Sequence, residues 1–574
     1  MDRRAFLATV AGGLAVTTLL PERPGPRGVI VGASRKVGHL LRGAGGGGAA
    51  GAGTGTSTST GTRGADALPV SEIATSLADL DAAVPGRELP AAGPLPDRTD
   101  VVVVGSGASG LAAAWRLAAL GISSTVLELE PFAGGTSTYG TAGACPHPWG
   151  AHYLAAPNPE ARATVRLLTE MGVITGWDAA GRPRFDGRAL CHAPEERLFY
   201  RGEWSLGLVP VDSMDRADVD EMRRFREIAD LWTRRDGDDG RAAFQIPVAL
   251  SSRDPDVLAL DRITFAAWLD ANGLRSDFLR WYVRYALLDD FGGTADTVSA
   301  WAGLHYFAAR KLRSQELQGS HFLVWPEGNG RLVRELCERS RAQVVTNMLV
   351  TGIEERGGGV EVACLDARSG ERRRIGARGV VLAIPGFVAS RLLGAPGGVV
   401  LPRRTSAPWL VANLHTSWPA SPDLPWDSVL YGSDGLGYVH AQHQHTVPED
   451  HPVITYYRAF GEADVAGVRG RLSSQPWEAI AEEVLLDLAP AHRHLRDEVE
   501  RMDVMIWGHA MPRPEPGFLG EDPFTAPVML GERVAWAHVD QSGIALFEEA
   551  QYRGVRAAES LARALGKDPG ESWI

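Results

Sequence analysis

Val101-Val102-Val103-Val104-Gly105-Ser106-Gly107-Ala108-Ser109-Gly110 is the stretch that decides the fold. Four β-branched residues in a row read as a strand buried on both faces of a parallel sheet. The glycines follow at once, and an Ala- and Leu-rich helical stretch runs from Leu111 to Leu120. Gly121 ends that helix, and Ser124 to Leu129 reads as a second strand. This is a β-α-β unit with its glycines at the strand-to-helix turn. Gly105 permits the tight turn, Gly107 lets the main chain approach a pyrophosphate, and Gly110 lets helix and strand pack closely. The helix N-terminus faces the anion, and Ser109, within the glycine turn, is a further cofactor-binding candidate. Glu128 stands at the end of the second strand, where an acidic group accepts hydrogen bonds from an adenosine ribose.

Around that unit the chain has 574 residues and a formal charge of −12. The length excludes a single small module. A hydrophobic fraction of 44% excludes a mostly disordered chain. No apolar run reaches the ~18 residues of a spanning helix. The acidic balance argues against nucleic acid as a partner. Among 58 basic residues only Lys36, Lys311 and Lys567 are lysine, so chemistry that needs a lysine has few candidates. Cys145, Cys191, Cys337 and Cys364 are widely spaced and form no CxxC, which predicts free thiols rather than a zinc site. His440, His443, His445 and His451 crowd one loop with nothing that fixes a ligand geometry, so no metal is expected.

The N-terminus reads Met1-Asp2-Arg3-Arg4-Ala5-Phe6-Leu7, followed by an apolar and small-residue stretch from Ala8 to Leu20. A charged start before a short apolar run is a signal segment, here assigned to 1–26, and the Arg-Arg-x-Phe-Leu order resembles the twin-arginine class. It predicts the twin-arginine machinery as a partner and a periplasmic or extracellular location. Residues 27–97 combine a segment, Gly28 to Arg42, able to dock as a short strand with a Gly/Ala/Thr/Ser linker at 43–64 that holds no core-forming residues.

Glu128-Leu129-Glu130-Pro131-Phe132-Ala133-Gly134-Gly135-Thr136 places a glycine pair just beyond the ribose acid. This resembles the extended dinucleotide signature of the flavin-containing amine oxidase superfamily, which also holds phytoene desaturases and protoporphyrinogen oxidases. Members usually carry arginines around the pair, where this chain has Phe132 and Thr136. Three later segments resemble the same pattern in order: Trp325 to Leu332 followed by a strand from Val344 to Val350, Val380 to Pro385, and Val534 to Gly554, which opens on a last strand from Val534 to Asp540. The resemblance implies FAD as cofactor. It implies Gly134, Gly135 and Thr136 near the phosphates and Val350 at the adenine. It also gives Asp540 the ribitol, and aims main-chain N–H groups of a helix starting at Ser542, Gly543 and Ile544 toward the flavin.

The fold class expected is α/β. A Rossmann-like FAD-binding domain (98–160, 322–385 and 528–574) is interleaved with an α+β substrate domain (161–321 and 386–527), a sheet covered by helices. The first insertion is helix-patterned and the second opens on strand-like Trp409 to His415. Cys145 to Tyr153 sits where the family runs its chain past the flavin ring, which nominates Trp149, Gly150 and His152. Tyr457, from a run of aromatics that suits an amine, and His509, before the last strand, complete the catalytic candidates. Many amine oxidases of this family place a lysine, through a water, against flavin N5 from the strand that opens the second insertion. That strand has none here, which weakens the oxidase expectation and leaves oxygen or a redox partner as acceptor. The leading expectation is oxidation of an amine, polyamines included, by hydride transfer to flavin N5. The alternatives are a desaturase or isomerase of an apolar molecule, and a non-catalytic flavin-bearing envelope protein.

Overall fold

A computed structural model describes the main chain of residues 35–38, and residues 94–141, 145–312, 320–393, 401–419, 421, 424–445, 447, 450–520 and 528–574. The export signal and the 43–64 linker lie outside these residues.

Val101–Val104 forms the centre of a five-stranded parallel sheet in the order Gln343–Val345, Ser124–Leu127, Val101–Val104, Gly379–Leu382, Val534–Trp536. Val101, Val102 and Val103 are fully buried, one face of the sheet packing on helix residues such as Ala113, Ala557 and Leu561 and the other on the strand residues Val360, Val362 and Ile375, which is why the run shows no alternation. Helix Ala108–Ala119 packs on one face against helix Phe547–Ala564. They approach closely at Gly554, where a Cβ would stand 2.1 Å from the Ser109 carbonyl oxygen.

The expected single strand from Val344 to Val350 is broken. Asn347 adopts φ 61° and turns the chain out of the parallel sheet into a three-stranded antiparallel one, Met348–Arg356, Gly359–Asp366 and Arg372–Ala377. The last strand also stops early, at Trp536, and a 3-10 turn, Val539–Gln541, follows.

The substrate side is an eight-stranded mixed sheet. Its order is Arg35–Gly38, Val499–Arg513, Thr405–Thr416, Val453–Ala459, Tyr438–His440, Asp427–Leu430, Glu196–Tyr200, Glu203–Leu206. The expected docking strand of the N-terminal segment is present: Arg35–Gly38 runs parallel to Val504–Trp507 at the sheet edge. Helices Arg216–Arg234, Phe265–Ala271, Asp277–Phe291 and Ala300–Ala308 gather around Phe225, Phe265, Phe278 and Trp301. Burying each such side chain contributes ~1.5–3 kcal/mol. Helices Val465–Ser474 and Trp477–Leu488 supply a second core against Leu410, Leu414 and Ile506. The observed class is the expected one, α/β with a parallel Rossmann-like sheet and a mixed substrate-side sheet. All four cysteines are buried, and none is joined in a disulfide.

Candidate active site

One long cavity runs from the Gly105 turn to the helical layer. Its nucleotide end is mostly main chain. Gly105 has φ 97°, and a Cβ there would stand 2.5 Å from the Ala383 carbonyl oxygen; at Gly110 it would stand 2.0 Å from the Gly105 oxygen. At Gly107 a Cβ would meet nothing within 4 Å, because that position opens on the cavity. Gly134 and Gly135 both take positive φ, a conformation glycine adopts without strain. Glu128 is buried; its Oε2 accepts from the Ser106 N–H (2.8 Å) and hydroxyl (2.6 Å), and its Oε1 from the Glu130 N–H (2.9 Å). The carboxylate thereby ties the glycine turn to the end of the neighbouring strand. Ser109, Thr136, Gly150 and Val350 also line the cavity. At Gly150 a Cβ would stand 2.1 Å from the Thr136 oxygen, so the two segments cross only because that residue has no side chain.

Asp540 also lines the cavity, its Oδ2 accepting from the Gly386 N–H at 2.8 Å. Burial pushes its carboxyl up, but His538, the Gly386 N–H and Arg404 outweigh burial and hold it below the usual range. Ser542, Gly543 and Ile544 do not open the last helix, as expected of them. Gly543 takes φ 77° and gives its N–H to the Val539 carbonyl at 2.8 Å. Ile544 is fully buried and Leu546 is still extended, so the helix starts at Phe547. Ala545, Leu546 and Phe547 therefore stand in the cavity wall in their place. The end as a whole fits an extended dinucleotide: a glycine cradle open at Gly107, a helix N-terminus facing it, the fixed carboxylate of Glu128 and a second buried carboxylate at Asp540. Among the described lining residues no Arg or Lys stands at the phosphate turn; Arg310, at the other end, is the cavity's single Arg or Lys.

The other end is built from side chains. His152, Tyr153, Asp289, Asp290, Trp409, Trp507 and Glu548 line it with Arg310. His152 stacks on Tyr457 (centroids 4.3 Å apart, planes at 24°), which therefore backs the cavity instead of facing it. Burial pushes His152 down to about 4, so it is neutral at neutral pH. Trp149 is buried behind the wall, and its carbonyl accepts from Trp507 Nε1 at 2.6 Å. His509 does line the cavity, with its ring 4.8 Å from that of Phe387. The four catalytic candidates are thus split: His152 and His509 reach the cavity, while Tyr457 and Trp149 support its wall.

Sequence reading missed the acids. Asp290 pairs with Arg310 at 3.1 Å, and Asp289 Oδ2 accepts from Tyr153 Oη at 3.0 Å. Behind them Asp427 Oδ2 accepts from Tyr285 Oη at 3.1 Å, and Asp427 faces Glu196 in register on the next parallel strand. Burial, and then the neighbouring carboxylates, push Asp427 well up and Glu196 up to about 7. Glu548 is pushed up to about 7, again by burial first. The available signal was two adjacent acids inside the apolar run Tyr285-Ala286-Leu287-Leu288-Asp289-Asp290-Phe291. Lys311 does not line the cavity; its main-chain N–H donates to Asn158. No cluster of three or more His, Cys, Asp or Glu that could hold a metal ion occurs among the described residues.

Residues 103–168 match the family described as NAD(P)-binding Rossmann-like domain. No curated protein matches the chain by sequence. Among solved structures, cyclohexylamine oxidase from Brevibacterium oxydans IH-35A is similar at a TM-score of 0.58 and 18% identity, over 82% of this chain and 100% of that one. Putrescine oxidase bound to putrescine is similar at 0.58 and 18%, over 81% and 99%. A fatty acid isomerase from P. acnes is similar at 0.56 and 16%, over 80% and 98%. The chain has the amine oxidase-like fold. At these identities the likeness speaks to architecture, and the chemistry must come from the cavity.

Proposed function

We propose that this chain is an exported FAD-dependent oxidoreductase that oxidises amines, polyamines included. FAD suits the nucleotide end better than a nicotinamide dinucleotide does, because the glycine pair Gly134-Gly135, Asp540 and the loop before Phe547 extend the cradle along the full cavity. Glu128 would hold the adenosine ribose and Asp540 the ribitol. When bound, the flavin supplies a two-electron acceptor, flavin N5, for hydride taken from a C–N carbon. The chain's own side chains bind and orient the substrate beside it.

The observation that carries the amine reading is the acidic, aromatic wall at the far end. Asp289 faces the cavity beside His152 and Tyr153, with Asp427 and Glu196 behind, against a single arginine. Buried carboxylates without cations of their own are stabilised by a cationic guest. A tunnel for a fatty chain has no use for them, which ranks the apolar desaturase or isomerase reading second despite the likeness to a fatty acid isomerase. The acceptor that reoxidises the flavin is oxygen or a redox partner. Twin-arginine export, which carries folded proteins, accounts for loading FAD before crossing the membrane; cell fractionation of the full chain and of an Arg3/Arg4→Lys variant tests it.

The direct test of function is anaerobic addition of cyclohexylamine or putrescine to the purified flavoprotein. Bleaching of the flavin absorbance is the expected result. A flavoprotein that no amine bleaches ends the amine reading, and one that no donor at all reduces returns the non-catalytic alternative.

A further inference from the structure

An aliphatic amine reaches its site protonated at neutral pH, since alkylammonium groups lose their proton only near ~10. The ammonium nitrogen has no lone pair to stabilise the carbon from which a hydride departs, so a group in the cavity must first take a proton. His152 is a weak base, held near 4 by burial. Asp290 is committed to Arg310. No lysine lines the cavity among the described residues. Asp289 is part-exposed to the cavity, receives one hydrogen bond from Tyr153 Oη at 3.0 Å, and pairs with no cation among the described residues.

We propose that Asp289 is the proton acceptor for the substrate's ammonium group. The N–H bond breaks, its electron pair stays on nitrogen, and an O–H bond forms on the Asp289 carboxylate; nothing is oxidised or reduced in the step. This rests on the amine reading above. The groups around Asp289 suit the role. Asp290 and Tyr285 lie on its own helix, Tyr153 and Tyr457 on strands against it, Asp427 and Glu196 behind, and Tyr306 and Arg310 at the end of the next helix. Burial first, and then the Asp290 charge, raise the Asp289 carboxyl against the pull of Tyr153 and Arg310, which makes it a stronger base than a surface aspartate.

The experiment uses the flavin-loaded full chain, wild type and Asp289→Asn, with the flavin spectrum and melting temperature as the check on folding. Anaerobic flavin reduction by cyclohexylamine is followed from pH 6 to 10. In wild type the rate rises with pH through the titration of one enzyme group. The variant loses that inflection, is slower by about 100-fold at pH 7, and recovers as the amine itself deprotonates. Tyr153→Phe moves the inflection to higher pH, because the hydrogen bond that lowers the Asp289 carboxyl is gone. Proton release is counted separately by calorimetry in two buffers with tert-butylamine, which has no hydrogen on the carbon bonded to nitrogen and so no hydride to lose. At pH 8 wild type binds it with no net release, whereas Asp289→Asn releases a proton per amine bound. An unchanged pH profile and proton count in Asp289→Asn overturns the proposal while leaving the amine reading standing. A wild type that amines neither reduce nor bind overturns both.

Discussion

At the Gly105–Gly110 end the cavity wall is main chain; at the Asp289 end it is side chain. The first end would hold two phosphates with no Arg or Lys among its described lining residues, relying on N–H groups and a helix N-terminus. The second end crowds Asp289, Asp290 and Glu548 around one arginine. A guest anion is thus met by dipoles that cannot titrate. A guest cation is met by carboxylates whose charge burial has made conditional on pH. Under the proposed function the first end would be a fixed mould for a permanent cofactor. The second responds to pH and to what occupies it, as suits a substrate that comes and goes.

The contrast can be broken most severely at Gly110. Its Cβ would press on the Gly105 carbonyl at 2.0 Å, so Gly110→Ala is expected to cost about 3 kcal/mol or more and to yield protein without flavin, read by melting temperature and the absorbance of the purified fraction. Gly107→Ala is its counterpart: with nothing within 4 Å of the new Cβ, the apoprotein melts near the wild-type temperature, yet the methyl group occupies space the pyrophosphate needs and FAD retention falls. Equal melting losses in the two variants would mean that the turn serves packing alone. Next in size, Glu128→Gln weakens charge-assisted bonds to both the ribose and the Ser106 turn; about 2 kcal/mol, roughly 30-fold in FAD affinity by titration of the apoprotein, is expected.

The smallest effect belongs to the acidic end. Asp427 is raised, so the folded protein holds that proton more tightly than the unfolded chain does. Its stabilising contribution is full below the unfolded carboxyl range and is lost as pH rises toward the folded value. Asp427→Asn removes the loss while keeping an acceptor for Tyr285. The variant should match wild type near pH 4 and exceed it by about 1–2 kcal/mol at pH 8, some 2–4 °C in melting temperature. A gap that narrows with rising pH would contradict the sign.

The same contrast explains what was legible in the sequence. A main-chain mould demands glycine at set spacings, so Gly105, Gly107, Gly110, Gly134 and Gly135 could be read directly and stand in the turns expected of them. The helix start was misread because the family resemblance placed it at Ser542-Gly543-Ile544. Only in three dimensions does Gly543 turn back onto the Val539 carbonyl and Ile544 fill the core, delaying the helix to Phe547. The acidic end was invisible for another reason: Asp289 meets Tyr153 across 136 residues, and Asp427 meets Tyr285 across 142. No local pattern encodes such pairs. Trp149 and Tyr457 were nominated as reactive aromatics from position and composition, and only packing shows that they stand one layer behind.

The scarcity of lysine has a consequence beyond electron transfer. Under the proposed reaction a primary amine leaves as an imine, which water converts to an aldehyde or ketone with loss of ammonia, an electrophile released beside the walls that made it. A neutral lysine amine would capture it as a Schiff base and foul the site. Arg310 supplies the cavity's fixed positive charge on a guanidinium that stays protonated and does not condense with carbonyls in this way. The wall is therefore proofed against its own product.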